Sequence, residues 1–528
     1  MGFITADRNQ RMLFGYCLED FVSVGDKCRF IVEVVKKLDL SELYADYSSQ
    51  GGDAFDPGIL LATWFFAYSE GISSTRKLER FCTRDMHYIY VSGNLKPDHC
   101  SLSRFRHRHL ERLPKCFVEI VRLGLEAGIS DFKRIAVDGS KLQASSSSRQ
   151  NRDGKALEKD LIRIRQQISE YLERCQLLDE QEEEGEDLEV LREKITQLRK
   201  MEEKLQERDQ QLEQRKKLLQ KKDREHHKIN KVEPEARNMK AVNGLIAAPG
   251  YNAQLSVDTA SELIVATDVN DEPTDQKQFA LQHQQTEENL GKDPQRGYVA
   301  DAGYHSLKQL AYIEEKQIDA VIADPRPEHR SSSQQTGRGS EKGVFHRASF
   351  RYEKQSDEYL CPASKKLSFC GTENKRGRQV RIYRAKACIG CHLRARCIKS
   401  KNPLSLRRIS RDADEALAEV MLEKVQSPEG LRRLRLRAMS VEPVFGNLKA
   451  NLGFRRFRLR GLKNVRGEFT LMCISHNLNK LYKLLGKSFF NFLVAVRTIW
   501  RSFINIHNSL KLFWTAQIPS DEKSYLSI

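Results

Sequence analysis

The sequence predicts a multidomain protein: a helical N-terminal domain, then a mixed-sheet α/β core interrupted by a helical hairpin and a small cysteine-rich insert. Three observations lead there. Residues 1–125 read as mostly helical from their capping signals and apolar periodicity. From Lys133 onward, short apolar strands alternate with helices, and several of the strands end in an acid. Two blocks interrupt that alternation: a charged, heptad-patterned stretch and a group of cysteines between Cys361 and Cys397.

The chain has 528 residues, enough for two to four domains with a large core. It carries 89 Lys and Arg against 72 Asp and Glu, a net charge of +17 that favours an acidic partner. Nucleic acid is the usual one, and a membrane surface is the alternative. The apolar run from Phe489 to Val496 is halted by Arg497, far short of the roughly 20 residues a membrane span needs. The N-terminus lacks the basic-then-apolar order of a secretory signal, so the expected compartment is the cytoplasm. There, the twelve cysteines are expected as free thiols or metal ligands rather than disulfides.

In the N-terminal domain, Phe30–Leu38 and Ile59–Phe66 are apolar helix candidates, the second introduced by Asp56-Pro57. A break at Gly71 is followed by a capped restart at Ser73-Ser74-Thr75-Arg76. Pro97-Asp98 opens a further helix carrying Arg104, Arg106, His107, Arg108 and His109. Short helices with basic ends suit a DNA-binding domain, with Arg76, Arg104 and Arg106 as candidate contacts, and an ordinary helical bundle has the same look.

The α/β core is expected in residues 130–150, 240–330 and 411–485. Its strands are Arg134–Lys141, Gly250–Asp258, Leu263–Val269, Arg296–Tyr304 and Ala320–Asp324, with helices near 275–290 and 307–316. Three strands, a helix, a strand, a helix and a strand is the order of an RNase H-like mixed sheet. Within it, residues 151–235 form an insertion. Leu157, Leu161, Ile164, Ile168, Tyr171, Cys175 and Leu178 step in heptad register, and Leu191, Ile195, Leu198, Leu205, Leu212 and Leu219 resume it beyond Gly185. The pattern predicts an antiparallel coiled-coil hairpin, an arm for dimerisation or for orienting a partner; one continuous helix is the competing picture.

Residues Val441 to Lys449 hold the sharpest chemical signal. From Glu429 to Arg466 the chain has eleven Lys or Arg and only two carboxylates, and one of those is Glu442. Seven residues separate Glu442 from Lys449, nearly two helical turns, so the two are expected to share a helix face. An acid retained where a polyanion would bind makes sense if a divalent cation lies between it and phosphate. The plainer reading is a helix-start carboxylate with Pro443 at the first helical position. Asp138 and Asp301 both end predicted strands, and adjacent strand ends bring side chains within a few ångströms. Three carboxylates suit Mg²⁺ or Mn²⁺.

Val137-Asp138-Gly139-Ser140-Lys141, Ala300-Asp301-Ala302-Gly303-Tyr304 and Val441-Glu442-Pro443-Val444-Phe445-Gly446 with Lys449 resemble the three signature regions of DDE-class insertion-sequence transposases. The run from Gly453 to Gly461, with Arg455, Arg456, Arg458 and Arg460, and His476-Asn477-Leu478 continue the likeness. Gly71–Arg76 and Pro97-Asp98-His99 are similar to that family's N-terminal helical domain. The resemblance covers about residues 30–485, apart from the hairpin. It implies a metal-binding triad of Asp138, Asp301 and Glu442, phosphate contacts at Arg437 and Lys449 and a double-stranded DNA substrate; since two element ends must be handled together, a homodimer on DNA is expected, and with no spanning segment no membrane partner is. Where the family often has a tyrosine three residues before the arginine, this chain has Leu434; the tail from 486 to 528 lies beyond the resemblance.

Residues 345–410 form the cysteine-rich insert. Cys388 and Cys391 have knuckle spacing, Cys361 and Cys397 complete an expected zinc-ribbon-like site, and reduced structural cysteines are the alternative. Arg378, Arg381, Arg384, Lys386, Arg394 and Arg396 nearby suit phosphate contact. The expected function is metal-dependent cleavage at mobile-element ends and transfer of the 3′-hydroxyl to target DNA. A catalytically silent DNA-binding regulator and an RNase H-fold nuclease without strand transfer are the alternatives.

Overall fold

The structure is a computed structural model, and it describes residues 3–4, 17–47, 54–180, 186–217, 224, 227–239, 248–325, 345, 347–375, 378–400 and 402–486. The expected hairpin turn at Gly185, Leu219 and the tail beyond Gly486 lie outside the described residues. The chain divides into two compact units, one of residues 1–129, 451–453 and 470–528, the other of residues 130–450 and 454–469.

The first unit is helical: α1 (Lys27–Val35), α2 (Ser41–Ala45), α3 (Pro57–Ser69), α4 (Thr75–Arg84), α5 (Met86–Val91), α6 (His99–His109) and α7 (Leu113–Glu126). Side-chain caps set the starts. Asp56 accepts from Ile59 N at 3.0 Å, and Asp98 accepts from Cys100 N and Ser101 N at 2.8 and 2.9 Å, each satisfying N–H groups that the first turn leaves unpaired. α3 is buried almost all round, so it forms the centre of this unit rather than an amphipathic rim.

Arg106 departs from expectation. Its helix α6 turns Arg104, His107 and Arg108 outward but Arg106 inward, 8% exposed. The guanidinium lies 4.6 Å from the Trp64 ring centroid and donates to Tyr68 Oη at 3.2 Å and to the Ser73 carbonyl at 3.0 Å. It ties three elements of the helical core and is not placed to meet DNA. Arg106→Ala is therefore expected to lower the unit's stability by about 2–4 kcal/mol, through a lost cation–π contact and a stranded carbonyl. Arg104→Ala should change stability by less than about 0.5 kcal/mol. Thermal denaturation of the two variants separates these outcomes.

In the second unit the central sheet has strands β1 (Arg134–Gln143), β2 (Arg237–Met239), β3 (Ala248–Asp258), β4 (Ile264–Asn270), β5 (Gly297–Ala300) and β6 (Asp319–Ile322). Spatially they run β6-β5-β1-β3, with β4 and β2 sharing the far edge of β3. β1, β5 and β6 are parallel, while β3 is antiparallel to β1 and β4. α10 (Gln278–Leu290) and α11 (Leu307–Glu315) supply the crossovers between parallel strands. The strands and helices expected in this region are all present.

α8 (Gly154–Glu180) and α9 (Glu186–Lys217) pack through Leu157 with Leu205 and Leu212, and through Ile168 and Cys175 with Ile195. The start of one helix meets the end of the other, so they run antiparallel. Strands Arg351–Glu353, Glu358–Leu360, Lys366–Lys375, Arg378–Arg384 and Arg408–Asp412 make a separate antiparallel sheet around Phe350, Tyr359, Leu367, Tyr383 and Ile409. α12 (Glu415–Gln426) and α13 (Pro428–Gly446) then return to the central sheet.

Candidate active site

Strand register brings the two aspartates together. In the parallel pair β1–β5, Val137 lies opposite Ala300, so Asp138 and Asp301 are the next residues on neighbouring strands. Asp301 caps the turn Ala302–Tyr304, with Oδ1 accepting from Gly303 N at 2.8 Å. Asp138 Oδ1 accepts from Gly139 N at 2.8 Å. Burial pushes the Asp138 carboxyl up to about 6; the Arg437 guanidinium opposes the rise, and the neighbouring Asp301 charge adds to it.

Arg437 and Glu442 come from α13. That helix starts at Pro428 with Ser427 as its cap, Oγ accepting from Gly430 N at 3.0 Å. Glu442 is thus far from a helix start, and Pro443 lies inside the helix rather than at its first position. Arg437 donates to Asp138 Oδ2 at 2.9 Å and stands 3.8 Å from Glu442 Oε1, so one guanidinium holds the charge between two carboxylates. The Glu442 side chain is 64% exposed.

Lys449 follows the same helix. Beyond α13 the backbone widens into a π turn over Asn447–Asn451, and from it Lys449 reaches β1. Its ammonium donates to Ser140 Oγ and, at 3.5 Å, to the Lys141 carbonyl. Burial holds its pKa below the usual lysine range, against the attraction of Asp138.

The basic run beside it follows the strand-like alternation of its sequence. Phe454, Phe457 and Leu459 are buried, while Arg455, Arg456, Arg458 and Arg460 are exposed. Phe457 N donates to the Gln143 carbonyl at 2.9 Å, which docks the run against the end of β1, a few residues beyond Asp138. Arg455 donates to the Lys449 carbonyl at 3.1 Å, Arg456 to the Ala144 carbonyl at 2.9 Å and Arg460 to the Ser145 carbonyl at 3.3 Å. These bonds use one edge of each guanidinium. In the first unit, Arg76 and Arg104 are exposed on α4 and α6.

Sequence reading missed a polar layer on the other face of β1. Asn252, Gln254, Ser256 and Asp258 are buried on β3, and their period of two in an otherwise apolar strand was a signal to be had. Asp275, read only as the start of a helix, accepts from Asn252, Gln254 and Lys141.

In the second sheet, Cys361, Cys388, Cys391 and Cys397 line one small cavity. Cys361 Sγ accepts from Lys365 N at 3.3 Å, and Cys388 Sγ from Arg407 N at 3.4 Å. Burial raises the Cys397 thiol; Arg407 opposes this, and the other three sulfurs reinforce it. Cys370 instead bonds to the Ile382 carbonyl. Two neighbouring cations expected at phosphate are engaged within the protein: Arg394 holds the Cys388, Asn402 and Ser405 carbonyls, and Arg381 pairs with Asp357.

Among the described residues, no three His, Cys, Asp or Glu side chains stand close enough together to form a ready metal cage. The donors that Asp138, Asp301 and Glu442 would offer are nonetheless all carboxylate oxygens. That chemistry fits a hard divalent cation. No helix among the described residues is long and apolar enough to cross a membrane.

The fold and site define an α/β protein that sets two carboxylates side by side where neighbouring parallel strands part, beside a basic strip, a combination suited to chemistry on phosphodiesters. Residues 360–482 match the family model described as Transposase DDE domain, and residues 16–108 match the one described as Transposase domain (DUF772). The chain thus carries a DDE transposase domain and, N-terminal to it, a second transposase domain. The first match spans Arg437, Glu442 and Lys449 together with the four cysteines; Asp138 and Asp301 lie outside it. A divalent metal goes with the family. No curated protein and no solved structure matches the chain.

Proposed function

We propose that this transposase cuts DNA at the ends of its own mobile element and joins the freed 3′-hydroxyl to target DNA, with Asp138, Asp301 and Glu442 as its metal-holding carboxylates. The observation that carries this reading is the strand register that makes Asp138 and Asp301 neighbours, with Arg437 linking Asp138 to Glu442. The sheet order, three antiparallel strands continued by two parallel ones, supports an RNase H-like core.

A bound Mg²⁺ or Mn²⁺ supplies Lewis-acid stabilisation of the attacking and leaving oxygens. The chain's own residues do the rest. Arg455, Arg456, Arg458 and Arg460 hold the backbone phosphates beside β1, and Lys449 sets a positive charge at Ser140. In the first step a water oxygen bonds to phosphorus, the P–O3′ bond breaks, and the strand is left with a 3′-hydroxyl. In the second, that hydroxyl oxygen bonds to a target phosphorus and displaces the target's own 3′ oxygen. One P–O bond forms and one breaks in each step, so no external energy source is needed. End-containing DNA incubated with Mg²⁺ and scored for nicks and for joined products tests the reading. Nicks without joined products would leave a nuclease, and binding without nicks a silent regulator.

Two ends must be handled together, so the active form is a homodimer on DNA. The pair α8–α9 is a coiled-coil arm suited to that contact: it leaves Ile162, Leu177, Val190 and Met201 exposed beyond its own seam. A structural zinc at Cys361, Cys388, Cys391 and Cys397 belongs to the same reading, supported by four thiols around one cavity. Protein purified without chelator is expected to carry about one zinc per chain, and Cys391→Ser should lose it together with protease resistance in residues 345–412. Full resistance and native stability in metal-free protein would rule the zinc out.

A further inference from the structure

We infer that Asp275 is a positioning residue for Asp301, acting through Gln254 and Tyr304; this rests on the carboxylate reading of the site. Asp275 leads into α10, and its side chain is one-fifth exposed. Its Oδ1 gathers three donors: Asn252 Nδ2 at 2.7 Å, Gln254 Nε2 at 2.7 Å and Lys141 Nζ at 3.0 Å. With the Gln254 amide nitrogen so held, its Oε1 faces the fully buried phenol of Tyr304, which donates to it. Tyr304 is the last residue of the turn that Asp301 caps. The chain Asp275–Gln254–Tyr304 therefore anchors the far end of the turn whose first residue carries the carboxylate.

The turn is held from a second side. A Cβ on Gly303 would lie 3.0 Å from Asp301 Oδ1 and 3.4 Å from Asp275 Oδ2, so the two carboxylates flank the same backbone point. On the neighbouring strand, a Cβ on Gly139 would come within 2.8 Å of Asp275 Oδ1 and collide with the Gln254 amide. The Asp275–Gln254 pair thus accounts for the glycine after Asp138, while at Gly303 the tight neighbour is Asp301 itself, with Asp275 in ordinary contact. A network that orients a ligand without touching the metal typically contributes tenfold to a hundredfold in affinity.

The test compares Asp275→Asn, Tyr304→Phe, their double variant and Asp301→Asn in the full chain. The readouts are Mn²⁺ binding to DNA-free protein by electron paramagnetic resonance and the Mg²⁺ concentration for half-maximal strand cleavage. Asp275→Asn and Tyr304→Phe are each expected to weaken Mn²⁺ binding about tenfold and raise the Mg²⁺ requirement by a similar factor, with DNA affinity unchanged. The double variant should be no worse than the worse single one, because both break one chain. Tyr304→Phe removes a single oxygen, which keeps the test sound if Asp275→Asn folds poorly. Native Mn²⁺ affinity in Tyr304→Phe, or additive losses in the double variant, would overturn the inference. If Asp301→Asn itself binds Mn²⁺ like wild type, the carboxylate reading fails instead.

Discussion

Asp138→Asn is expected to abolish strand cleavage, by at least about a thousandfold or ~4 kcal/mol of transition-state stabilisation, while making the protein more stable. The second half follows from burial. The carboxyl of Asp138 is pushed up to about 6, so the folded state binds its proton more tightly than the unfolded chain does. Such a group contributes stability while it is protonated, and that contribution is lost as pH rises through about 6. At pH 7.5 the ionised side chain is a burden on the fold, carried for its function. The neutral amide removes that burden and keeps the shape, so thermal denaturation at pH 7.5 should show a gain on the order of 1–2 kcal/mol, less the weakened bond to Arg437. At pH 5, where wild-type Asp138 is itself mostly protonated, the gain should shrink. A variant that is less stable at pH 7.5 would show that Arg437 outweighs desolvation.

Arg437→Gln should move the acid limb of the cleavage rate to higher pH and lower the rate at pH 7 by about a hundredfold. Arg437 is the group that opposes the rise in the Asp138 carboxyl, donating to it at 2.9 Å. Without the guanidinium, burial and Asp301 act unopposed, and Asp138 stays protonated further into the neutral range. Activity should then recover in part between pH 8 and 9. A variant defective only in DNA contact would lose rate equally at every pH. The measurement is the pH profile of single-turnover cleavage at saturating DNA.

Asp301 was legible because it closes a short apolar parallel strand; Asp138, expected at a strand end too, instead lies inside β1, which runs on to Gln143, just past the point where pairing with β5 stops. The caps at Asp56, Ser74 and Asp98 were legible for a similarly local reason, since each satisfies N–H groups two or three residues on. Arg106 was misread because a basic run hides the 3.6-residue period. Positions 104 and 108 share a face that 106 does not, and Trp64, the ring that draws Arg106 inward, is 42 residues away. Asp275 was overlooked because its partners come from β1 and β3, up to 134 residues distant.

If Asp138, Asp301 and Glu442 act as one centre for DNA cutting and joining, loss of any one of them stops both steps. The most direct measurement is single-turnover cleavage and joining of end-containing DNA with Mg²⁺, comparing wild type with Asp138→Asn, Asp301→Asn and Glu442→Gln at matched DNA occupancy. Wild type is expected to give nicks and joined products, the three variants neither, and DNA affinity should stay within about threefold throughout. Mg²⁺-dependent cleavage that survives in any one variant would contradict a single shared centre.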